Sequence, residues 1–227
     1  MKLTYYGHSC FSVETGGGKT LLFDPFVSQS PTASAAGIAA DKLAADYILV
    51  THGHVDHVGD AKDIACRTGA PVVACNEVCN WLVKDGVEEV RRLHIGGTAD
   101  LGGVRAKFVP VAHASVMPDG SHGGAAGGFY VKSEEGSFYY PGDTGLTAEF
   151  AMVPSGLTFA VLPIGGTFTM DVEDAVLAAQ MLQVQTVVGV HYDTLPQIMV
   201  DHEAAVQAFA DAGIQLLLLP IGGSVDL

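Results

Sequence analysis

Residues 47–60 read YILVTHGHVDHVGD, an apolar run that ends in His52, His54, Asp56 and His57. Three imidazoles and a carboxylate within six residues make a ligand set for a divalent ion of the Zn²⁺, Mn²⁺, Fe²⁺ or Ni²⁺ kind. In an extended segment His52 and His54 are two apart, project to the same side and can share one ion. A helix expected from about Val58 would turn the chain there, so that Asp56 and His57 swing toward a second position. Further metal-capable residues recur in one repeated context. AKFVPVAH delivers His113, SFYYPGD delivers Asp143 and TVVGVH delivers His191, each closing an apolar, strand-like run. Four strands that each end in such a residue imply one rim where all of them converge. Two His-rich centres sharing a carboxylate would hold two ions about 3.5–4 Å apart.

The pattern His52-x-His54-x-Asp56-His57, with His113, then Asp143 in PGDTG and His191 in GVHYDT, resembles the metallo-β-lactamase superfamily of hydrolases. The match runs from the first residues to the last. The opening YYGHSCF together with FDPF is similar to the branch of metal-dependent hydrolases related to the ascorbate-6-phosphate lactonase. The resemblance implies a four-layer αββα sandwich of the α/β class, with the metals at one edge. It also implies that His52, His54 and His113 hold the first ion, that Asp56, His57 and His191 hold the second, and that Asp143 bridges them. Oxygen-reducing diiron proteins of this fold carry Glu at the second ligand position. His54 stands there in this chain, which favours hydrolysis over redox chemistry. RNA-processing and DNA-repair members carry added substrate-binding segments, and this compact acidic chain shows no obvious one.

The expected chemistry is metal-assisted hydrolysis, with a hydroxide held between two divalent ions attacking a carbonyl or phosphorus centre. Zinc is the first expectation for the ions, with Mn²⁺, Ni²⁺ and Fe²⁺ also admissible. No serine nucleophile elbow or phosphate-cradling loop is present, so the ions would carry most of the work. A small ester, lactone or amide is the favoured substrate; a phosphodiester is the alternative enzyme reading. A non-catalytic metal-binding or assembly protein is the third, and the intact set of seven ligands argues against it.

His8 and Asp56 are the candidates for work on the substrate itself. His8 lies between two expected strands, after Gly7, and neither metal set needs it. An imidazole exchanges a proton near neutral pH, and a hydrolase needs a group to protonate its leaving group. The resemblance sets GHSCF beside the metals, so His8 is expected to be a general acid or oxyanion donor; the alternative is a histidine satisfied by hydrogen bonds at a strand end. Asp24 in LLFDP either orients a ligand histidine from behind or only starts a turn with Pro25. Asp171 and Asp174 fit a helix N-terminus, where acids cap free amides and favour the dipole. His94, His122 and His202 lack the strand-end context and read as solvated.

The elements that must position these groups are short strands alternating with Ala-rich helical stretches over the whole chain, read as one domain, 1–227. Strands are expected near 2–6, 10–15, 19–24, 47–51, 71–74, 104–111, 127–132, 136–140, 158–162, 186–190 and 215–219. Helices are expected at about 58–68, 76–84, 172–183 and 202–212. SQSPTASAAGIAADKL (28–43) and MPDGSHGGAAGG (117–128) read as loops, and long loops in a compact chain are more often functional than accidental. VLPIGGTF (161–168) and LLPIGGSV (218–225) echo each other as two strands closed by Pro-Ile-Gly-Gly. Cys75 and Cys79 share an expected helix, but a paired zinc cluster would want a second such pair, so the four cysteines read as reduced, mostly buried thiols.

Nearly half of the residues are hydrophobic, and 11 basic against 25 acidic residues give a formal charge of −14. Nucleic acid is not expected as a partner, because phosphate binding needs a basic surface, and the same charge disfavours anionic membranes. A small-molecule substrate fits better. The start of the chain lacks the apolar stretch of a secretory signal and no run is long enough to span a bilayer. The cytoplasm is the expected compartment, and homo-oligomerisation is possible.

Overall fold

The computed structural model describes residues 1–227. In chain order its elements are β1 (Lys2–Gly7), β2 (Cys10–Glu14), β3 (Thr20–Phe23), α1 (Pro31–Ala35), β4 (Tyr47–Leu49), α2 (Val55–Val58), α3 (Ala61–Thr68), β5 (Val72–Cys75), α4 (Asn76–Lys84), β6 (Val90–Leu93), β7 (Thr98–Asp100), β8 (Arg105–Pro110), β9 (Gly127–Ser133), β10 (Gly136–Tyr140), β11 (Phe159–Pro163), α5 (Val172–Met181), β12 (Thr186–Val190), α6 (His202–Asp211), β13 (Gln215–Leu217) and β14 (Ser224–Asp226). The strands form two seven-stranded sheets, ordered β14-β1-β2-β3-β4-β5-β6 and β13-β12-β11-β10-β9-β8-β7.

Strand alternation builds the layers. In β10, Phe138 and Tyr140 enter the core between the sheets, while Tyr139 joins a second core under the helices. In β11, Phe159 and Val161 face the first core, and Ala160 and Leu162 the second. Residues that alternate through a pleat and are apolar on both faces mark a strand covered on both sides. Across the inter-sheet core Phe23 of β3 meets Phe138 edge-on with ring centroids 5.8 Å apart and stacks on Phe11 of β2 at 4.6 Å. Ala175, Ala178 and Ala179 of α5 and Phe209 of α6 fill the outer core of the second sheet. Helix packing on both sandwich faces is the αββα arrangement that the resemblance implied.

Each sheet is antiparallel in one half and parallel in the other: β3-β4-β5-β6 and β10-β11-β12-β13 are parallel runs. By the antiparallel pairings, β1 runs the same way as β3, and β8 the same way as β10. The C-terminal ends of β1, β3 and β4 therefore share one edge of the first sheet, and those of β8, β10 and β12 one edge of the second. In open α/β sheets such an edge is where ligands bind.

The boundaries differ from expectation in instructive places. The helix expected at 58–68 is broken into α2 and α3, so Asp56 and His57 lie on a helical turn of their own rather than before one. The 28–43 segment contains α1, which Ser30 caps by accepting from the Ala33 amide at 3.3 Å, and a 3-10 turn at Ala40–Lys42. Strands β6, β7 and β14 were not anticipated. The Pro-Ile-Gly-Gly echo is no repeated unit: Pro163 ends β11, whereas Pro220 lies outside any strand. Cys10, Cys75 and Cys79 are buried and Cys66 is exposed, all as free thiols. No helix is long and apolar enough to cross a membrane.

Candidate metal centre

Six strand ends deliver the polar residues. His8 follows β1, Asp24 follows β3, and His52 follows β4, with His54, Asp56 and His57 on the turn into and through α2. From the second sheet, His113 follows β8, Asp143 follows β10 and His191 follows β12. His8, Asp24 and His191 all have left-handed backbones, with φ of 53°, 41° and 56°. Non-glycine residues adopt this region at a cost of about 1–3 kcal/mol, and it persists only where the surroundings over-determine it. Here they do: the His191 amide donates to the His8 carbonyl at 2.8 Å, the Tyr5 hydroxyl donates to that same carbonyl at 3.1 Å, and the Asp24 amide donates to the Leu49 carbonyl at 3.0 Å.

The side chains collect into adjoining groups. In the first, His54 Nδ1 lies 2.9 Å from His52 Nε2 and 3.4 Å from His113 Nε2. Two nitrogens on a tetrahedral ion at about 2.0–2.1 Å would sit ~3.3 Å apart, so this triad has the spacing of a shared ligand set. A second group holds Asp56, His57 and His191, with His8 beside them; one ligand atom from each falls within 4.8 Å of the others. Asp143 stands between the groups. Its Oδ1 is 3.3 Å from His57 Nε2, and its Oδ2 is 3.2 Å from His191 Nε2 and 3.6 Å from His113 Nε2. His57 Nε2 and Asp143 Oδ1 are fully buried and make no hydrogen bond. Leaving buried polar atoms unpartnered costs on the order of 1–3 kcal/mol each, and a bound cation would supply the missing partner. The residues fit divalent ions.

Asp24 supports this set from behind. Its carboxylate accepts the His57 Nδ1 proton at 2.8 Å, the Thr51 hydroxyl at 2.7 Å, the Tyr140 hydroxyl at 2.7 Å and the Thr51 amide at 2.8 Å. Because the Thr51 hydroxyl donates to Asp24, it accepts from His52 Nδ1, 3.0 Å away. Both His52 and His57 thus turn Nε2 inward, the outer hydrogen bond fixing ring orientation. Of the two readings of Asp24, the orienting one matches its contacts. Thr51 and Tyr140 were not singled out in the sequence; only their adjacency to His52 and to PGD hinted at them.

Charge follows geometry. Burial, with His57 nearby, holds His52 well below its ordinary pKa, and burial also lowers His54 and His113. All three therefore favour the neutral form that offers a lone pair. Burial opposes ionisation of Asp56 and Asp143, but His57 with its neighbours outweighs it and holds both carboxyls below the usual range. Burial likewise works against charge on His57 and His191, yet Asp143 leads the acids that raise both, His191 to about 9. Burial lowers His8.

His54, Asp56, His113, Asp143 and His191 floor a cavity of about 280 Å³ whose other walls are Phe168 and Leu195. His8 does not line it. It lies behind Asp56, 2 % exposed, with Nε2 2.9 Å from Asp56 Oδ2 and Nδ1 2.6 Å from Thr194 Oγ1. Away from the site, Asp171 caps α5 by accepting from the Asp174 amide at 2.9 Å. His94, His122 and His202 are exposed, and His202 pairs with Asp193 at 2.6 Å.

Comparison with known proteins agrees with this geometry. Residues 2–191 match the profile of a beta-lactamase superfamily domain. A UPF0173 metal-dependent hydrolase from Methylacidiphilum infernorum is 44 % identical over 229 aligned positions, covering 100 % of both chains. One from Flavobacterium johnsoniae is 41 % identical, again covering 100 % of both. Among solved structures, Igni18, a metallo hydrolase from Ignicoccus hospitalis, superposes with a TM-score of 0.87 at 33 % identity, over 99 % of this chain and 97 % of its own.

Proposed function

Because the chain belongs to the metallo-β-lactamase superfamily, among its metal-dependent hydrolases, we propose that it hydrolyses a small ester, lactone or amide at a centre of two divalent ions. One observation carries the two-ion reading: the Asp143 carboxylate turns one oxygen to His57 and the other to His113 and His191. Zinc is the first candidate, with Mn²⁺, Ni²⁺ and Fe²⁺ compatible with the same ligands. When bound, such ions supply a water that ionises near neutral pH and an electrophilic hold on the substrate oxygen.

The chain's own residues supply the rest. His52, His54 and His113 would hold one ion; Asp56, His57 and His191 the other; Asp143 would serve both. Asp24 and Thr51 keep the two inward-facing imidazoles in register. His8, clamped between Thr194 and Asp56, holds a proton at Nε2 against Asp56 Oδ2, at the cavity floor. That bond holds Asp56 in place, and Asp56 is the residue that meets the substrate: its carboxylate would take a proton from the attacking water and pass it to the leaving group, with His8 positioning it. Phe168 and Leu195 give the cavity its apolar walls.

The test is elemental analysis after gentle purification and reloading with Zn²⁺ or Mn²⁺, followed by chromogenic esters, lactones, amides and bis-p-nitrophenyl phosphate. Up to two ions per chain and turnover of an ester, lactone or amide are expected. Saturation well below one ion per chain would sink the two-ion reading. Turnover of the phosphodiester alone would reassign the substrate, and silence on every class would leave a metal-binding protein.

A further inference from the structure

All eleven lysines and arginines lie at or before residue 132. None falls in the segments that surround the metal-binding edge, namely 7–9, 24–30, 50–60, 111–126, 141–147, 164–171 and 191–201. A substrate bearing a phosphate or carboxylate away from its reacting bond would meet no side-chain cation there. The N-termini of the two ten-residue helices that start beside these segments, α5 and α6, are a common kind of anion site but are taken by acids. Asp171 caps α5 with Glu173 and Asp174 in its first turn, and Asp201 caps α6 with Glu203 behind it.

The cavity instead presents two apolar side chains, Phe168 and Leu195, that remain 49 % and 46 % exposed. Both are held in place. Thr167, at φ 55°, displays Phe168 and donates through its hydroxyl to the Gln197 carbonyl at 2.9 Å, on the 3-10 turn that follows Leu195. The Met170 amide donates to the Thr144 carbonyl at 2.9 Å, next to Asp143. A strained, cross-braced turn that sets a phenyl ring in the wall of a cavity with polar residues is a built feature, and apolar walls with a few convergent polar groups are the usual make-up of a small-molecule site.

We propose that the substrate is uncharged and carries a short apolar arm that packs between Phe168 and Leu195, the two residues that set specificity. This rests on the hydrolase reading only for what happens to the reacting bond. The test compares butyranilide with 3-sulfopropionanilide, in which a sulfonate, a poor metal ligand, replaces the terminal methyl. Binding to the zinc-reloaded protein is read by ligand-observed NMR, and turnover by the matching p-nitrophenyl esters. Butyranilide is expected to bind at least about tenfold more tightly. Phe168→Ala should weaken it by roughly 10-fold or more, the scale on which apolar pockets discriminate, and Leu195→Lys should bring the sulfonate toward parity. Both positions are on the surface, and unchanged thermal unfolding would verify that the variants fold. If butyranilide fails to saturate, binds no more tightly than the sulfonate, or is indifferent to Phe168→Ala, the inference is overturned. A binding preference without turnover of any ester, lactone or amide would sink the hydrolase reading and sustain this one; turnover without a preference would do the reverse.

Discussion

Asp24 and Asp143 are both buried carboxylates that no lysine or arginine pairs with, yet their surroundings assign them different tasks. Asp24 spends its lone pairs on protein donors, whereas Asp143 Oδ1 has none. Asp143→Asn keeps the volume and removes the charge that two ions would share, so saturated metal content should fall below one per chain. Asp24→Asn should retain metal at saturation with affinity weakened about 10–100-fold, the usual effect of losing an orienting partner. Chelator competition measures both, and equal losses would remove Asp143 from the bridging position. His8→Ala is expected to leave metal content intact while lowering turnover by roughly 10²–10⁴, the range for a positioned acid or base. Metal loss would instead make His8 a fourth ligand beside Asp56, His57 and His191. The four residues of HGHVDH are legible in sequence because their ligand spacing is local. Thr194 was not: its hydroxyl reaches His8 from 186 residues away, a contact that only the closed sandwich creates.

At the scale of elements, the site depends on loops fitting closely against one another. Gly142 sits at φ +68°, and a Cβ there would lie 2.5 Å from Thr51 Oγ1, the hydroxyl that links Asp24 to His52. Gly142→Ala should therefore cost about 1–3 kcal/mol from the left-handed backbone alone and also disturb metal binding. Gly145→Ala, three residues on, meets nothing within 4 Å and should change little. Thermal unfolding and metal content of the pair are the measurement, and equal behaviour would show that the Asp143 loop is more pliant than its packing suggests. The sandwich strands were readable because β8 to β12 each carry aromatic or β-branched residues at buried positions. Strands β6, β7 and β14 were not, since VRRL, TAD and SVD are short and mostly exposed edge pieces. Their pairing comes from a neighbouring strand rather than from a pattern of their own. Asp56 and His57 were expected ahead of a helix because a single turn, Val55–Val58, is too short to show helical periodicity.

For the whole molecule, the ligand set draws on both sheets: the β4 end and α2 from the first, and the β8, β10 and β12 ends from the second. Bound ions would tie the two halves of the sandwich together. At a free ion concentration of about 100 times Kd, a site contributes about 2.7 kcal/mol, or roughly 5–11 °C in a chain of this length. Chelation should lower Tm by that amount and zinc should restore it, as read by calorimetry; a Tm indifferent to metal would mean that the sheets hold together without the centre. The two ends of the chain also meet. Lys2 pairs with Asp226 in the β1–β14 ladder, the amino group of Met1 donates to the Leu227 carbonyl at 2.8 Å, and the Leu227 amide returns the bond to the Met1 carbonyl at 2.8 Å. Chain order is therefore separable from architecture. A circular permutant that joins 227 to 1 through a short Gly/Ser linker and opens at the exposed Gly17–Gly18 turn, on the edge opposite the metal ligands, should fold and bind the parent's complement of zinc. Such a permutant begins at Gly18, so β3 and the Asp24 that follows it would come first from the ribosome, and β1 and His8 almost last.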